Sequence, residues 1–231
     1  MVSGGFSEGI ENLPLEIIDL INTKSKSDIV VDENVSRTGA TGGILQNQIL
    51  ICGGNDGDGI VIGSPNLSFE MTIPRRLASS VVLNESKIWV TGGVSNDRCC
   101  VNSTEIISLD QPPIPGPYLP IAVSQHSMVL VDESAIYLIG GSLGLQNWFP
   151  SMKTWIIDPT NYQIKVGPSL CSPRKGHSCS KMRIEGRNFL IVAGGCNRNG
   201  PLDTVELLDT TNPDQGWKMG IKKNCIYLMF P

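Results

Sequence analysis

The stretch Lys87-Ile88-Trp89-Val90-Thr91-Gly92-Gly93 sets a short apolar run against two consecutive glycines. The same arrangement occurs in Met1-Val2-Ser3-Gly4-Gly5, Ile49-Leu50-Ile51-Cys52-Gly53-Gly54, Ile136-Tyr137-Leu138-Ile139-Gly140-Gly141 and Leu190-Ile191-Val192-Ala193-Gly194-Gly195. From one first glycine to the next the steps are 49, 39, 48 and 54 residues. A strand-and-turn signal returning every ~40–50 residues marks a repeat architecture. The doublet predicts a strand that bends sharply on leaving a crowded core, where residues without a Cβ permit positive φ and close backbone approach.

Outward from Lys87, residues 77–83 read as a strand that opens on Ile73-Pro74-Arg75-Arg76 and ends in the turn Asn84-Glu85-Ser86. After the doublet, a polar loop at 94–102 leads to a third strand at 103–110, and the Pro-rich segment 111–120 takes the place of a fourth. The fifth repeat copies this layout, with a third strand at 203–209 and a short fourth strand at 215–219 that contains Trp217. In the fourth repeat Ser124-Gln125-His126-Ser127 stands where Lys175-Gly176-His177-Ser178 stands in the fifth, and Trp155 takes the position of Glu105 and Glu206. The second repeat is degenerate, keeping only Gly59-Ile60-Val61-Ile62 of its third strand. The first contributes Leu15-Glu16-Ile17-Ile18-Asp19. The expected units are 1–34 (partial), 35–73, 74–120, 121–172, 173–220 and 221–231 (partial), within one domain covering 1–231. A lone meander of three or four strands cannot bury both faces, so neighbours must pack face to face, and radial repetition of such sheets is the β-propeller solution. Trp155 and Trp217 are expected to wedge between units.

With 231 residues, 40% of them hydrophobic, the chain can bury a substantial core, and 25 Gly with 15 Pro point to many turns and short elements. The net charge of −4, without any basic run, speaks against nucleic acid and anionic membrane as partners. No stretch approaches the ~18 apolar residues of a membrane span, and the N-terminus lacks the basic and apolar regions of a secretory signal. Seven cysteines at unrelated spacings suggest neither a disulfide framework nor a zinc site, so a reducing, cytoplasmic setting is expected. Sequons at Asn34, Asn66, Asn84 and Asn102 keep a glycosylated extracellular domain as the competing reading.

The apolar run into Gly-Gly, the Glu-hydrophobic-hydrophobic-Asp third strand, the Trp near the end of the unit and the Pro-Arg…His-Ser opener together resemble kelch repeats, over nearly the whole chain. The resemblance implies an all-β, kelch-type β-propeller, usually of six blades, that most often binds other proteins. This chain has five Gly-Gly units, starts on the second strand of a blade, and ends on 221–230, which looks like a first strand with nothing after it. Either that strand completes the first blade of a five-bladed ring, or the chain is part of a larger six-bladed propeller, the reading that the position of Met1 favours. Nothing resembling a BTB domain is present, so the ubiquitin-ligase adaptor role of the family does not carry over.

His126 and His177 occupy one repeat position, which points to a structural part in both. The copper oxidases built on kelch propellers need two histidines and tyrosines converging on one metal, a pattern not recognisable here. No Gly-x-Ser-x-Gly elbow occurs, and Asn55-Asp56-Gly57-Asp58-Gly59 lacks the downstream Glu of a calcium loop. No catalytic residue, metal or cofactor is therefore expected. Glu16, Glu105 and Glu206 recur in register and suit a repeated hydrogen bond, while Arg37, Arg76 and Arg174 at the openers suit either capping of loop carbonyls or a pocket for an acidic ligand. Cys99-Cys100 lies in a loop, where reactivity requires a depressed thiol pKa.

The loops after the doublets differ from repeat to repeat, and loops on a rigid scaffold carry recognition. Three hold interface-type residues: Asp97 and Arg98, Trp148 and Phe149, Asn197 and Arg198. Trp148 and Phe149 suit a contact anchor or a fold-back over the blade edge, and Arg98 and Arg198 suit the reading of carboxylates. The expected function is a non-catalytic platform for a peptide or partner domain. The alternative is a kelch-type enzyme acting on a sugar or other small metabolite, an analogy from fold kinship.

Overall fold

The computed structural model describes residues 2–3, 16–17, 38–46, 48–55, 70–143, 149–184 and 186–220. They form an all-β structure of several antiparallel sheets. In repeat one, β1 (Val2–Ser3) pairs with β2 (Glu16–Ile17), and in repeat two β3 (Thr41–Leu45) pairs with β4 (Gln48–Cys52). Repeat three is a four-stranded meander of β5 (Ser79–Asn84), β6 (Lys87–Thr91), β7 (Thr104–Ser108) and β8 (Ile114–Pro115). In repeat four, β9 (Val123–Ser124) leads into β10 (Ser127–Asp132) and β11 (Ala135–Ile139). The hairpin β12 (Ser142–Leu143) and β13 (Phe149–Pro150) follows, then β14 (Thr154–Ile157) and β15 (Ile164–Val166). Repeat five runs through β16 (Ser178–Ile184), β17 (Arg187–Ala193), the hairpin β18 (Cys196–Asn197) and β19 (Gly200–Pro201), β20 (Val205–Asp209) and β21 (Lys218–Met219). Sheet orders β5-β6-β7-β8, β10-β11-β14-β15 and β16-β17-β20-β21 give the three full repeats one topology.

In β6 and β11 the apolar run before the doublet is continuous rather than alternating because the strand is covered on both faces. In β6, Ile88 and Val90 face repeat two while Trp89 faces repeat four, and all three are fully buried. Three apolar layers result. Leu45, Leu50 and Cys52 meet Ile88, Val90 and Ile107. Val81 and Trp89 meet Met128, Ile136, Leu138 and Trp155. Val131, Tyr137 and Ile139 meet Leu190, Val192, Leu208 and Trp217. Trp155 and Trp217 thus fill the spaces between successive sheets, and Trp217 Nε1 donates to Pro168 O at 3.1 Å.

The doublets are the joints of this stack. Gly92 and Gly93 have φ of 59° and 98°, in the left-handed region. A Cβ on Gly92 would collide with Val123 O of the next repeat, and one on Gly93 would sit 2.8 Å from Arg76 O of its own opener. Neither side has room for a side chain. In repeats two, three and four the second glycine of the doublet also donates its N–H across the joint: Gly54 to Arg75 O (3.0 Å), Gly93 to Val123 O (2.8 Å) and Gly141 to Arg174 O (2.9 Å). A second chain of links joins the openers, from Leu77 N to Gly39 O, Gln125 N to Leu77 O and Gly176 N to Gln125 O, at 2.7–2.9 Å. Leu77 and Gln125 hold positive φ without being glycine, a strain these bonds offset.

Two sequence expectations change here. A fourth strand does form in repeat three within 111–120: β8 is two residues long, and Pro115, which has no N–H, is tolerated because β8 is the sheet edge. Glu16 lies opposite Ser3, one position out of the register that Glu105 and Glu206 keep opposite Val90 and Val192. Gly4 and Gly5, the loop at 56–59, the strand remnant at 59–62, Arg37, Trp148 and the terminal strand at 221–231 lie outside the described residues. No helix among the described residues is long and apolar enough to cross a membrane.

Candidate functional site

The openers of repeats three and five each bury an arginine, Arg174 where the sequence placed it and Arg75 one residue before the expected Arg76. The counterpart of Arg174 is Arg75, not Arg76: both follow a proline, and both are fully buried. Arg75 pairs with Glu105 at 2.7 Å, and Arg174 pairs with Glu206 at 2.6 Å. Arg75 also donates to Gly92 O and Ser103 O, as Arg174 does to Gly194 O and Thr204 O. Glu105 further accepts the N–H groups of Thr72 and Ile73, and Glu206 those of Cys171 and Ser172. Burial lowers the Arg75 guanidinium from its ordinary value, against the opposing pull of Glu105. These arginines are enclosed by the fold and give their Nη donors to its carbonyls and a carboxylate, while the Nε of each is buried without a partner among the described residues.

Repeat four does without the network: the arginine, the glutamate and a backbone donor are replaced together, while Thr154 remains with its hydroxyl buried and unpartnered among the described residues. Trp155 stands for the glutamate opposite Leu138, Val123 for the arginine, and Pro120, which has no N–H, for Thr72 and Cys171. A buried acceptor without its donors costs more than an apolar replacement of the whole set.

His126 and His177 plug the joints. Their Cε1 atoms lie where a Cβ on Gly92 or Gly140 would sit, at 2.9 and 2.7 Å, and their Cβ atoms press on Gly141 and Gly195. Thr91 Oγ1 donates to Ser79 O and shares a 2.9 Å hydrogen bond with His126 Nε2. Burial pulls both imidazoles down to about 3, with Arg174 and His126 adding to the effect at His177. Neutral and enclosed, they are parts of the frame.

None of the six described cysteines is in a disulfide. Burial raises the Cys100 and Cys171 thiols and pushes Cys179 up to about 12, the opposite of nucleophilic activation. Among the described residues no group of three or more His, Cys, Asp or Glu is placed to hold a metal.

The loops that follow the doublets share one side of the stack with the crossings between repeats, while the hairpin turns occupy the other. The loops touch in succession: Cys100 Sγ donates to Ser124 Oγ of repeat four at 3.3 Å, and β13 lies against β18. In repeat three, Asp97 and Arg98 are exposed at a tight turn in which Arg98 N donates to Ser95 O and Arg98 has φ of 58°. In repeat five, Asn197 Oδ1 accepts the N–H of Asn199, which shapes the tip. Phe149 is 42% exposed, and Arg198 Cζ lies 4.1 Å from its ring centroid. The structure therefore joins two residues that the sequence placed in separate repeats, and Phe149 faces outward rather than folding under. Tyr118, 72% exposed in the crossing after β8, is an outward aromatic on the same side that loop composition alone did not flag.

No protein-family model matches the chain, and no curated protein matches it.

Proposed function

We propose that the chain is a kelch-type β-propeller domain, or the part of one carried by five doublets, and that it is a non-catalytic platform for a peptide or partner domain. Support for the fold comes from sheets of one topology that succeed each other through equivalent joints, with a glycine doublet at each. The observation that carries the function is the Arg198–Phe149 stack. It is an exposed aromatic and cation pair, contributed by loops of two repeats, standing on joints whose own charged and imidazole side chains are buried. Exposed aromatic and arginine side chains are what interfaces concentrate. A reducing, cytoplasmic setting goes with this reading, and glycan found at Asn84 or Asn102 would contradict it.

The test is affinity purification with mass spectrometry, comparing wild type with the Phe149→Ala/Arg198→Ala variant. Specific partners are lost from the variant while its unfolding midpoint stays in place. An unchanged partner set contradicts the assignment of these loops as the binding surface.

A further inference from the structure

We propose that the Phe149–Arg198 stack reads an acidic segment of the partner, with an Asp or Glu carboxylate taken by the free edge of the Arg198 guanidinium; this rests on the platform reading above. The argument begins with what satisfies each arginine. Arg75 and Arg174 give their Nη donors to carbonyls and a carboxylate, and Arg187 donates to Asp209 at 2.9 Å. Arg198 makes no hydrogen bond or ion pair among the described residues, and its one contact of note is the ring of Phe149. Stacking fixes the plane of a guanidinium and leaves its N–H edge facing outward, so little side-chain freedom remains to be lost when a carboxylate arrives. A planar fork of parallel N–H groups suits a bidentate carboxylate, which a point charge does not reproduce.

Charge placement selects the same occupant. Outside the buried pairs, the described residues on the doublet side carry Arg76, Arg98, Lys153, Lys175 and Arg198 against Glu70, Asp97 and Asp203. That excess is positive although the chain as a whole is at −4. The described hairpin side carries Glu85, Asp110, Asp132, Glu133, Asp158, Asp209 and Asp214 against Lys87, Arg183 and Arg187, so its excess is negative and an acidic segment is steered away from it and toward the loops. Arg98 is exposed and has no side-chain partner among the described residues, which makes it a second cation for an extended acidic chain.

The experiment is selection of random twelve-residue peptides displayed on phage against the immobilised wild-type protein, followed by fluorescence anisotropy of a synthesised hit. The expected result is enrichment of Asp and Glu, with affinity weakened about tenfold or more by Arg198→Gln. Arg198→Lys fails to restore it, while both variants keep the wild-type unfolding midpoint. Neutral or basic hits that lose binding on Phe149→Ala overturn the acidic reading and leave the platform standing. Hits bound equally by wild type and Phe149→Ala/Arg198→Ala overturn both. A selection that enriches nothing overturns the acidic reading, and affinity purification then decides the platform.

Discussion

At the scale of the residue, the chain contains its own controls. Gly92 and Gly186 both have positive φ, but a Cβ at Gly92 meets the backbone of the next repeat while one at Gly186 meets nothing within 4 Å. Gly186→Ala therefore costs about 1–2 kcal/mol, the backbone term alone. Gly92→Ala adds an overlap that only movement of repeat four relieves, and costs more than about 3 kcal/mol; urea unfolding of the two variants separates the terms. The Arg–Glu pairs supply a second comparison. Glu206→Gln leaves the Arg174 charge buried without a counter-charge, so a loss of about 3–5 kcal/mol is expected in the same measurement. A loss below about 1 kcal/mol would mean that water reaches the pair. The one-residue error over Arg76 has a plain physical origin. Successive side chains of an extended segment face opposite ways, so two adjacent arginines look alike in sequence while Arg75 is fully buried and Arg76 half-buried. The Pro-Arg dipeptide shared by Pro74-Arg75 and Pro173-Arg174 was the signal that could have settled it.

At the scale of the element, strands were the readable part and edges were not. The run at 87–91 declared a strand covered on both faces, as β6 is, while the prolines at 111–120 hid the two residues of β8 that the sheet edge still accepts. The hairpin turns follow a rule that became visible only with side chains in place. Asn84, Asp132, Asp158 and Asp209 each accept the N–H and the hydroxyl of a Ser or Thr two residues later. The sequon at Asn84 is thus the Asn form of a repeated turn, which explains its presence without a glycan. The histidines at the joints make the packing of elements pH-dependent. Their folded imidazoles are held at about 3, below the 6.5 of the unfolded chain. The folded protein therefore binds these protons less readily, so stability is complete above pH 6.5 and declines as pH falls, by about 1.4 kcal/mol per unit for each histidine. Chemical unfolding at pH 7.5, 6 and 5 should show that slope, and the His126→Gln/His177→Gln variant should flatten it. An equal slope in the variant would place the titration elsewhere. Asp132, Asp158 and Asp209, held below the usual carboxylate range by their turn hydrogen bonds, lose their contribution only as pH falls below about 4.

At the scale of the molecule, the repeat was legible because the same physical problem recurs. Each sheet must let the next one approach, and a doublet without side chains is the solution at every described joint. What was not legible was the pairing of loops across repeats. Phe149 and Arg198 are 49 positions apart, and only the stacking of repeat four on repeat five brings them together. Native-state hydrogen exchange at the amides of Gly54, Gly93 and Gly141 tests the central claim that the doublets are joints between successive sheets. Because each amide donates to the opener of the following repeat, all three are predicted to exchange as slowly as the amides of β6 and β11, through global unfolding alone. Exchange at the rate of the neighbouring exposed loop residues such as Asn96 and Asp97 would contradict the account.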